Sequence, residues 1–327
     1  MNSTDSKLGL LKVKGLQVGF TLNKQKFLKV VDDVNLDIQP GEIVGLVGES
    51  GSGKTILSLS LLRLITPPGQ IIGGEIIWRQ KDLLKLGSKA MRQVRGKEIA
   101  MIFQNPRMSL NPVRTIGSQM TSIISRHCEC TKKDAFEQAI NTLQTVKFPD
   151  AEKRIHSYPH QLSDGMCQRV MIAMALSCQP SLLIADEPTA SLDVTIQAQI
   201  MDLLLEIRET FNTAILLISH DLGVVAHLCD RIAVMYLGRV VELAPASRLF
   251  ESPAHPYTQA LIGSLPLPAQ NWNRNFSRIV GEMPSQIEIP LGCRFRTRCP
   301  QAFEKCSRFD PKMIAVEEDH YAACLLY

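Results

Sequence analysis

Apolar and polar positions alternate along LLKVKGLQVGF and again along KVVDDVNLDI. A period of two predicts strands with one buried face, here leading to a turn at Gln39-Pro40-Gly41. EIVGLVG reads as a near-continuous apolar strand, joined by a glycine-rich turn to a helix around TILSLSLLRLI. From about Ser88 to His160 the pattern turns helical and more polar, with KKDAFEQAINTLQTVKF as its clearest amphipathic stretch. Strand-like runs return at SLLIADEP and AILLISHD, on either side of the helix VTIQAQIMDLLLEIRETF. This alternation predicts an α/β fold: a parallel sheet covered by helices on both faces. After about Leu265, PLPAQNWNRNF and SQIEIPLG read as connectors and short strands, and the sequence shows neither internal repeats nor low-complexity tracts.

The chain's 327 residues allow one large core and something smaller. Hydrophobic residues make up 45% and charged residues 21%, with a net charge of +4 and scattered basic positions, so the sequence reads as a globular protein with no nucleic-acid partner. The segment MNSTDSKLGLLKVKGLQ lacks the uncharged apolar core of a secretory signal, which predicts a cytoplasmic protein. The most apolar uncharged run, Val170 to Ala185, contains Gln179 and Pro180 and is shorter than the roughly 20 residues a membrane span needs. Ser252 to Asn273 is too polar and proline-rich to span. Nine cysteines in a reducing compartment argue against a disulfide framework, so clustered ones are candidate metal ligands.

Gly48-Glu49-Ser50-Gly51-Ser52-Gly53-Lys54-Thr55 has the spacing of a phosphate-binding loop and sits between a predicted strand and a predicted helix. The glycines let backbone N–H groups close around phosphate oxygens, Lys54 reaches the outer phosphates, and Thr55 offers a hydroxyl to Mg²⁺. The strand Leu182 to Ala185 ends in Asp186-Glu187, which suits the other half of such a site: Asp186 for the Mg²⁺ shell, Glu187 to polarise an attacking water. Gln104 closes IAMIFQ and His220 closes AILLISH. Together these put four polar groups at the carboxyl edge of one sheet, where open α/β folds bind ligands. In QLSDGMCQRV, Ser163 reads as a helix N-cap with Asp164 in the first turn. An acid there favours the helix but repels any phosphate that the same amides hold.

With these motifs in order, residues 8 to 265 resemble the ATP-binding subunit of ABC transporters, and QLSDGMCQRV stands where that family usually has LSGGQ. The resemblance implies a P-loop NTPase with a RecA-like core, an antiparallel β subdomain and a helical subdomain over about residues 88–165, all within a nucleotide-binding domain of residues 1–265. A small cysteine-containing extension, residues 266–327, follows. It also implies Phe20 as the aromatic that stacks on adenine, Gly48, Ser50, Gly51, Ser52, Gly53, Lys54 and Thr55 as the ATP-binding loop, and Gln104, Glu187 and His220 as catalytic. Thr55, Gln104 and Asp186 would hold Mg²⁺, Ser191-Leu192-Asp193 resembles the D-loop, and Ser163, Asp164, Gly165 and Met166 would face ATP bound by a second ABC ATPase subunit. On that reading Asp164 places a charge where the family has glycine, which implies a heterodimer with unequal sites.

AMIFQNPRMSLNP, QRVMIAMAL, ADEPTASLDVTIQAQI, SPAHPYTQAL and GCRFRTRCP are similar to the ATPases of dipeptide and oligopeptide importers. That resemblance implies an ATPase at the cytoplasmic face of the inner membrane. It would dock through Gln104 to Ile124 on two permease subunits served by an extracytoplasmic substrate-binding protein. Related systems handle antimicrobial peptides, polyamines or nickel, and a regulatory subunit with one degenerate ATP site is the further alternative. Cys293, Cys299, Cys306 and Cys324 lack a close C-x-x-C knuckle, and their spacing alone leaves zinc, an iron–sulfur cluster and free thiols open. The resemblance of the tail to GCxFxxRCP implies a [4Fe-4S] cluster on these four residues.

Overall fold

The computed structural model describes residues 9–23, 26–190, 192–265 and 281–327, so Ser191 of the expected D-loop and the connector PLPAQNWNRNF lie outside the described residues. The chain forms two compact units. The first comprises Met1–Gln39, Ile43–Leu84 and Ile218–Tyr327; the second comprises Pro40–Glu42 and Lys85–Leu217.

In the first unit, β1 (Leu11–Asn23) and β2 (Lys26–Ile38) are the two strands expected from the alternating segments, and they pair antiparallel. The apolar phase changes along β1: Leu11 and Val13 are buried on odd positions, Leu16 and Val18 on even ones. A register shift between Val13 and Leu16 absorbs the extra residue, with Gly15 at a φ of 54°. A bulge is what keeps both halves of the strand facing the core, because a one-residue slip otherwise turns every side chain over. β4 (Gly69–Trp78) adds to the other edge of β1, setting fully buried Ile76 opposite Val13, and β5 (Lys81–Asp82) completes this antiparallel sheet.

A second set of strands in the same unit runs in the order β11 (Ile314–Glu317), β12 (His320–Ala322), β10 (Arg239–Pro245), β9 (Arg231–Tyr236) and β3 (Ile43–Val47). Only β3 and β9 are parallel here; the rest pair antiparallel, so this part of the sheet is mixed rather than wholly parallel. All five residues of β3 are buried, as its unbroken apolar run predicts. In the second unit β8 (Ala214–Ile218), β7 (Leu182–Asp186) and β6 (Ile99–Ile102) are neighbours in that order, and β6 and β7 pair in parallel. Several of its helices begin on side-chain caps, among them Thr115 before Ile116–His127, Thr131 in a capping box with Asp134 before Lys132–Thr145, and Ser163 before Asp164–Leu176. Among the described residues no helix is long and apolar enough to cross a membrane.

Within the first unit the tail is held to β10 by a carboxylate the sequence does not advertise. Glu242 on β10 is fully buried and accepts from the amides of Ala254 (2.7 Å) and His255 (2.9 Å), while Nε2 of His320 on β12 lies 2.8 Å from it. These contacts give a buried polar group the hydrogen-bond partners it would otherwise lack. His255 caps the helix Pro256–Gly263, its Nδ1 accepting from the Tyr257 amide at 3.0 Å. Burial pulls the imidazole down to about 4 from its ordinary value, with Glu242 and the Ala323 backbone opposing. The folded protein therefore keeps His255 neutral while the unfolded chain takes up a proton below its ordinary pKa. Stability contributed by this group is complete near neutrality and is lost as pH falls from the unfolded value toward the folded one, about 2 kcal/mol between roughly pH 7 and pH 5. Denaturant unfolding at the two pH values should show His255→Asn flattening this loss relative to the wild type. Equal losses in both proteins would assign the pH dependence to other groups.

Candidate nucleotide site

The phosphate loop leaves β3 at Val47 and enters the helix Lys54–Leu61. Gly48 has a φ of 151°, and a Cβ there would stand 2.1 Å from the Met235 carbonyl oxygen. Gly53, at a φ of 107°, is the N-cap, and a Cβ there would meet the Val30 carbonyl oxygen at 2.7 Å. Both positions exclude side chains because the backbone is left-handed and the neighbouring strands press against it. Lys54 is buried, and its ammonium donates to the carbonyls of Gly48 at 2.7 Å and Glu49 at 3.0 Å, while Ser52 is held through its carbonyl by the Gly238 amide at 2.8 Å. Ser50, Gly51 and Thr55 are exposed. The loop thus presents glycine amides and a tethered cation at a helix N-terminus, which is the arrangement that binds a polyphosphate.

Two further expected residues sit in this unit. Phe20, half-buried on β1, lies over Gly69 of β4, where a Cβ would come within 2.5 Å of its ring. His220 is exposed after β8, immediately before Asp221, whose carboxylate caps the helix Leu222–Leu228 by accepting from Gly223 (2.9 Å) and Val224 (3.2 Å).

The second unit holds the rest. Asp186 closes β7 and is 2% exposed, and Glu187 follows with a φ of 47°. A bulky residue in the left-handed region is strained by about 1–3 kcal/mol and persists where surrounding structure over-determines it. Gln104 donates from Nε2 to the Glu187 carboxylate at 2.7 Å, which brings together two residues 83 positions apart. Asp193 caps the helix Val194–Phe211, accepting from the Ile196 amide at 3.0 Å. Magnesium takes hard oxygen donors, and the donor types at Thr55, Gln104 and Asp186 fit it, Asp186 as a carboxylate at a buried strand end.

At the signature segment Ser163 is the cap the sequence predicts, its hydroxyl accepting from Met166 at 3.3 Å. Gly165 packs against Ile196, which a Cβ would approach to 3.1 Å. Asp164 corrects the expectation of an uncompensated charge: its carboxylate is ion-paired with the guanidinium of Arg107, which also donates to the Leu162 carbonyl at 3.0 Å. The pair raises the Arg107 pKa further, chiefly through the hydrogen bond. Arg107 lies three positions beyond Gln104, in the short helix Pro106–Ser109 that Asn105 caps. Nothing periodic in the sequence marks it, although a cation near one end of QNPRMSLNP was available to find.

The iron–sulfur expectation is also corrected. Among the described residues no group of three or more His, Cys, Asp or Glu side chains is placed to hold a metal ion, so neither a [4Fe-4S] cluster nor zinc is assigned to Cys293, Cys299, Cys306 and Cys324. All four are free thiols. Burial raises the pKa of Cys293, Cys299 and Cys324; backbone amides oppose it and neighbouring thiols add to it, and the net upward shift disfavours the thiolate form that metals require.

A strand-to-helix phosphate loop and an acidic pair at the end of an apolar strand define a P-loop ATPase. The ABC transporter family model matches residues 31–190, and the model for the C-terminal region of oligopeptide and dipeptide transporters matches residues 241–306. The chain is 47% identical over 319 residues to the oligopeptide transport ATP-binding protein AppD of Bacillus subtilis, covering 97% of each. It is 47% identical over 306 residues to the dipeptide transport ATP-binding protein DppD of Haemophilus influenzae, covering 94% of this chain and 92% of that one. Among solved structures, a dimeric ATP-binding cassette in a post-hydrolysis state with ADP and Pi superposes with a TM-score of 0.65 at 25% identity, covering 72% of this chain and 98% of that one. CbiO1 from Clostridium perfringens, part of the ABC transporter complex CbiONQ, gives a TM-score of 0.63 at 26% identity over 75% of this chain and 91% of that chain. The chain therefore belongs to the ABC transporter family, in its group of dipeptide and oligopeptide transport ATP-binding proteins.

Proposed function

We propose that this protein hydrolyses ATP to energise uptake of dipeptides or oligopeptides across the cytoplasmic membrane. It works as a peripheral subunit at the cytoplasmic face, paired with a second ABC ATPase and docked on two permease subunits that an extracytoplasmic binding protein supplies. The observation that carries this reading is the presence, in one chain, of both the ABC cassette and the C-terminal region of peptide transporters, with near-full-length identity to named peptide-transport ATPases.

In this reading Phe20 stacks on adenine, the amides of residues 48–53 and Lys54 hold the phosphates, and Glu187 orients and deprotonates the attacking water with Gln104 holding its carboxylate. His220 hydrogen-bonds the terminal phosphate. Mg²⁺, when bound through Thr55, Gln104 and Asp186, supplies positive charge to the phosphate oxygens. Ser163 and the amides around Gly165 face the nucleotide of the partner ATPase, and Asp193 and its loop lie at the same dimer contact. With Asp164 paired to Arg107, the acid at the signature does not by itself mark a degenerate site.

Purifying the tagged chain from host membranes tests the assembly: two permeases and an ATPase should co-purify, and disrupting the gene should abolish uptake of a labelled dipeptide or oligopeptide. Recovery with ribosomes or soluble partners instead would overturn the transport role. Loss of nickel or polyamine uptake with peptide uptake intact would overturn the cargo.

A further inference from the structure

The carboxyl-terminal extension reaches the phosphate loop through a pair that neither the family motifs nor the transport reading uses. Arg298, whose side chain is 5% exposed, grips both carboxylate oxygens of Glu49 at 2.9 and 3.1 Å. Its second arm also donates to the Gly281 carbonyl at 2.9 Å, and its guanidinium lies 5.9 Å from the centre of the Tyr236 ring. Glu49 is the second residue of the loop, and its amide donates to the Tyr257 hydroxyl at 2.9 Å. Tyr236, Tyr257 and Phe295 pack in tilted and edge-on contacts with ring centres 4.6 to 5.3 Å apart, so the arginine stands on an aromatic cluster. From the same extension Gln286 donates to the Gly51 carbonyl, and Met283 lies beside Gly51, 3.1 Å from where its Cβ would be.

We propose that Arg298 is a positioning residue for the phosphate loop: by neutralising and fixing the Glu49 carboxylate it lets the loop accept the charge of ATP, and so makes nucleotide affinity depend on the docked extension. Two physical effects act together. A fork-to-fork arginine–carboxylate pair fixes orientation as well as charge, which holds the loop at Glu49 while the same residue's carbonyl receives the Lys54 ammonium. An unpaired carboxylate in this loop would add a like charge beside the incoming polyphosphate. The inference rests on the nucleotide reading of the loop.

The test is equilibrium binding of MgATP to the full chain, with far-UV circular dichroism and thermal melting to confirm folding. Lys54→Ala should lose most of the affinity; if it binds as the wild type does, the nucleotide reading of the loop fails. With that reading intact, Arg298→Ala should bind MgATP about ten-fold more weakly, because the Glu49 carboxylate is left unpaired beside the incoming phosphates. Glu49→Gln combined with Arg298→Ala should recover most of the loss, because no carboxylate is left unpaired. Wild-type affinity in Arg298→Ala overturns the inference, as does a double variant no better than the single one. Should Arg298→Ala not fold, Glu49→Gln alone decides: it should bind at least as tightly as the wild type, and weaker binding overturns the role of charge neutralisation.

Discussion

Glu187→Gln should lower ATP turnover by on the order of a hundred- to ten-thousand-fold while MgATP still binds, because it removes a base and almost nothing else. Gln104 reaches Glu187 at 2.7 Å through an N–H donor, and the amide oxygen of the variant can accept the same hydrogen bond. The side chain keeps its length and planarity, and the strained backbone at a φ of 47° is unchanged. What disappears is the capacity to take a proton from water as it attacks. Steady-state phosphate release and equilibrium nucleotide binding separate the two effects. Loss of binding together with turnover would mean that Glu187 holds the nucleotide; full turnover would place the base elsewhere.

Arg107→Ala should reduce the ATP turnover of the assembled transporter by roughly ten-fold or more at low salt, where a single unpaired charge near a phosphate is felt most strongly. The carboxylate of Asp164, which now pairs with the guanidinium, would stand alone in the first turn of the signature helix. An acid there competes with any phosphate for the same end of the helix. Both partners are about half exposed, so the defect should shrink as salt rises. Adding Asp164→Gly to Arg107→Ala should restore turnover, since the charge to be balanced is gone. A double variant as slow as the single one would show that Arg107 acts through its bond to the Leu162 carbonyl instead.

Local signals made much of the site legible. The phosphate loop is contiguous, and its glycines are demanded by backbone shape within six residues, from Gly48 to Gly53. Asp186 and Glu187 end a strand whose five buried positions announce themselves as an apolar run. Ser163 and Asp193 cap helices because a short oxygen-bearing side chain before a periodic run has few other roles. The strand β4 was harder to read: GQIIGGEIIW carries two glycines at its centre, and its pairing with β1 is what selects the extended form. For the tail cysteines spacing leaves the alternatives open and resemblance misleads, since a sequence motif does not state whether its side chains form a metal site.

What the sequence by itself determined is the chemistry available at each strand end and turn: a loop shaped for phosphate, an acidic pair, a glutamine, a histidine and a capped helix. These rest on interactions within a few residues, where spacing and geometry are nearly the same thing. The tertiary structure decided which polar and charged groups meet. Arg107 and Asp164 are 57 positions apart, Arg298 and Glu49 are 249 apart, and Glu242 meets His320 across 78. An arginine or carboxylate carries no periodic mark of its eventual partner. Its pairing follows from strand register and from where the chain returns, and where the pair is buried, as at Arg298, an unmatched charge is too costly to leave in place.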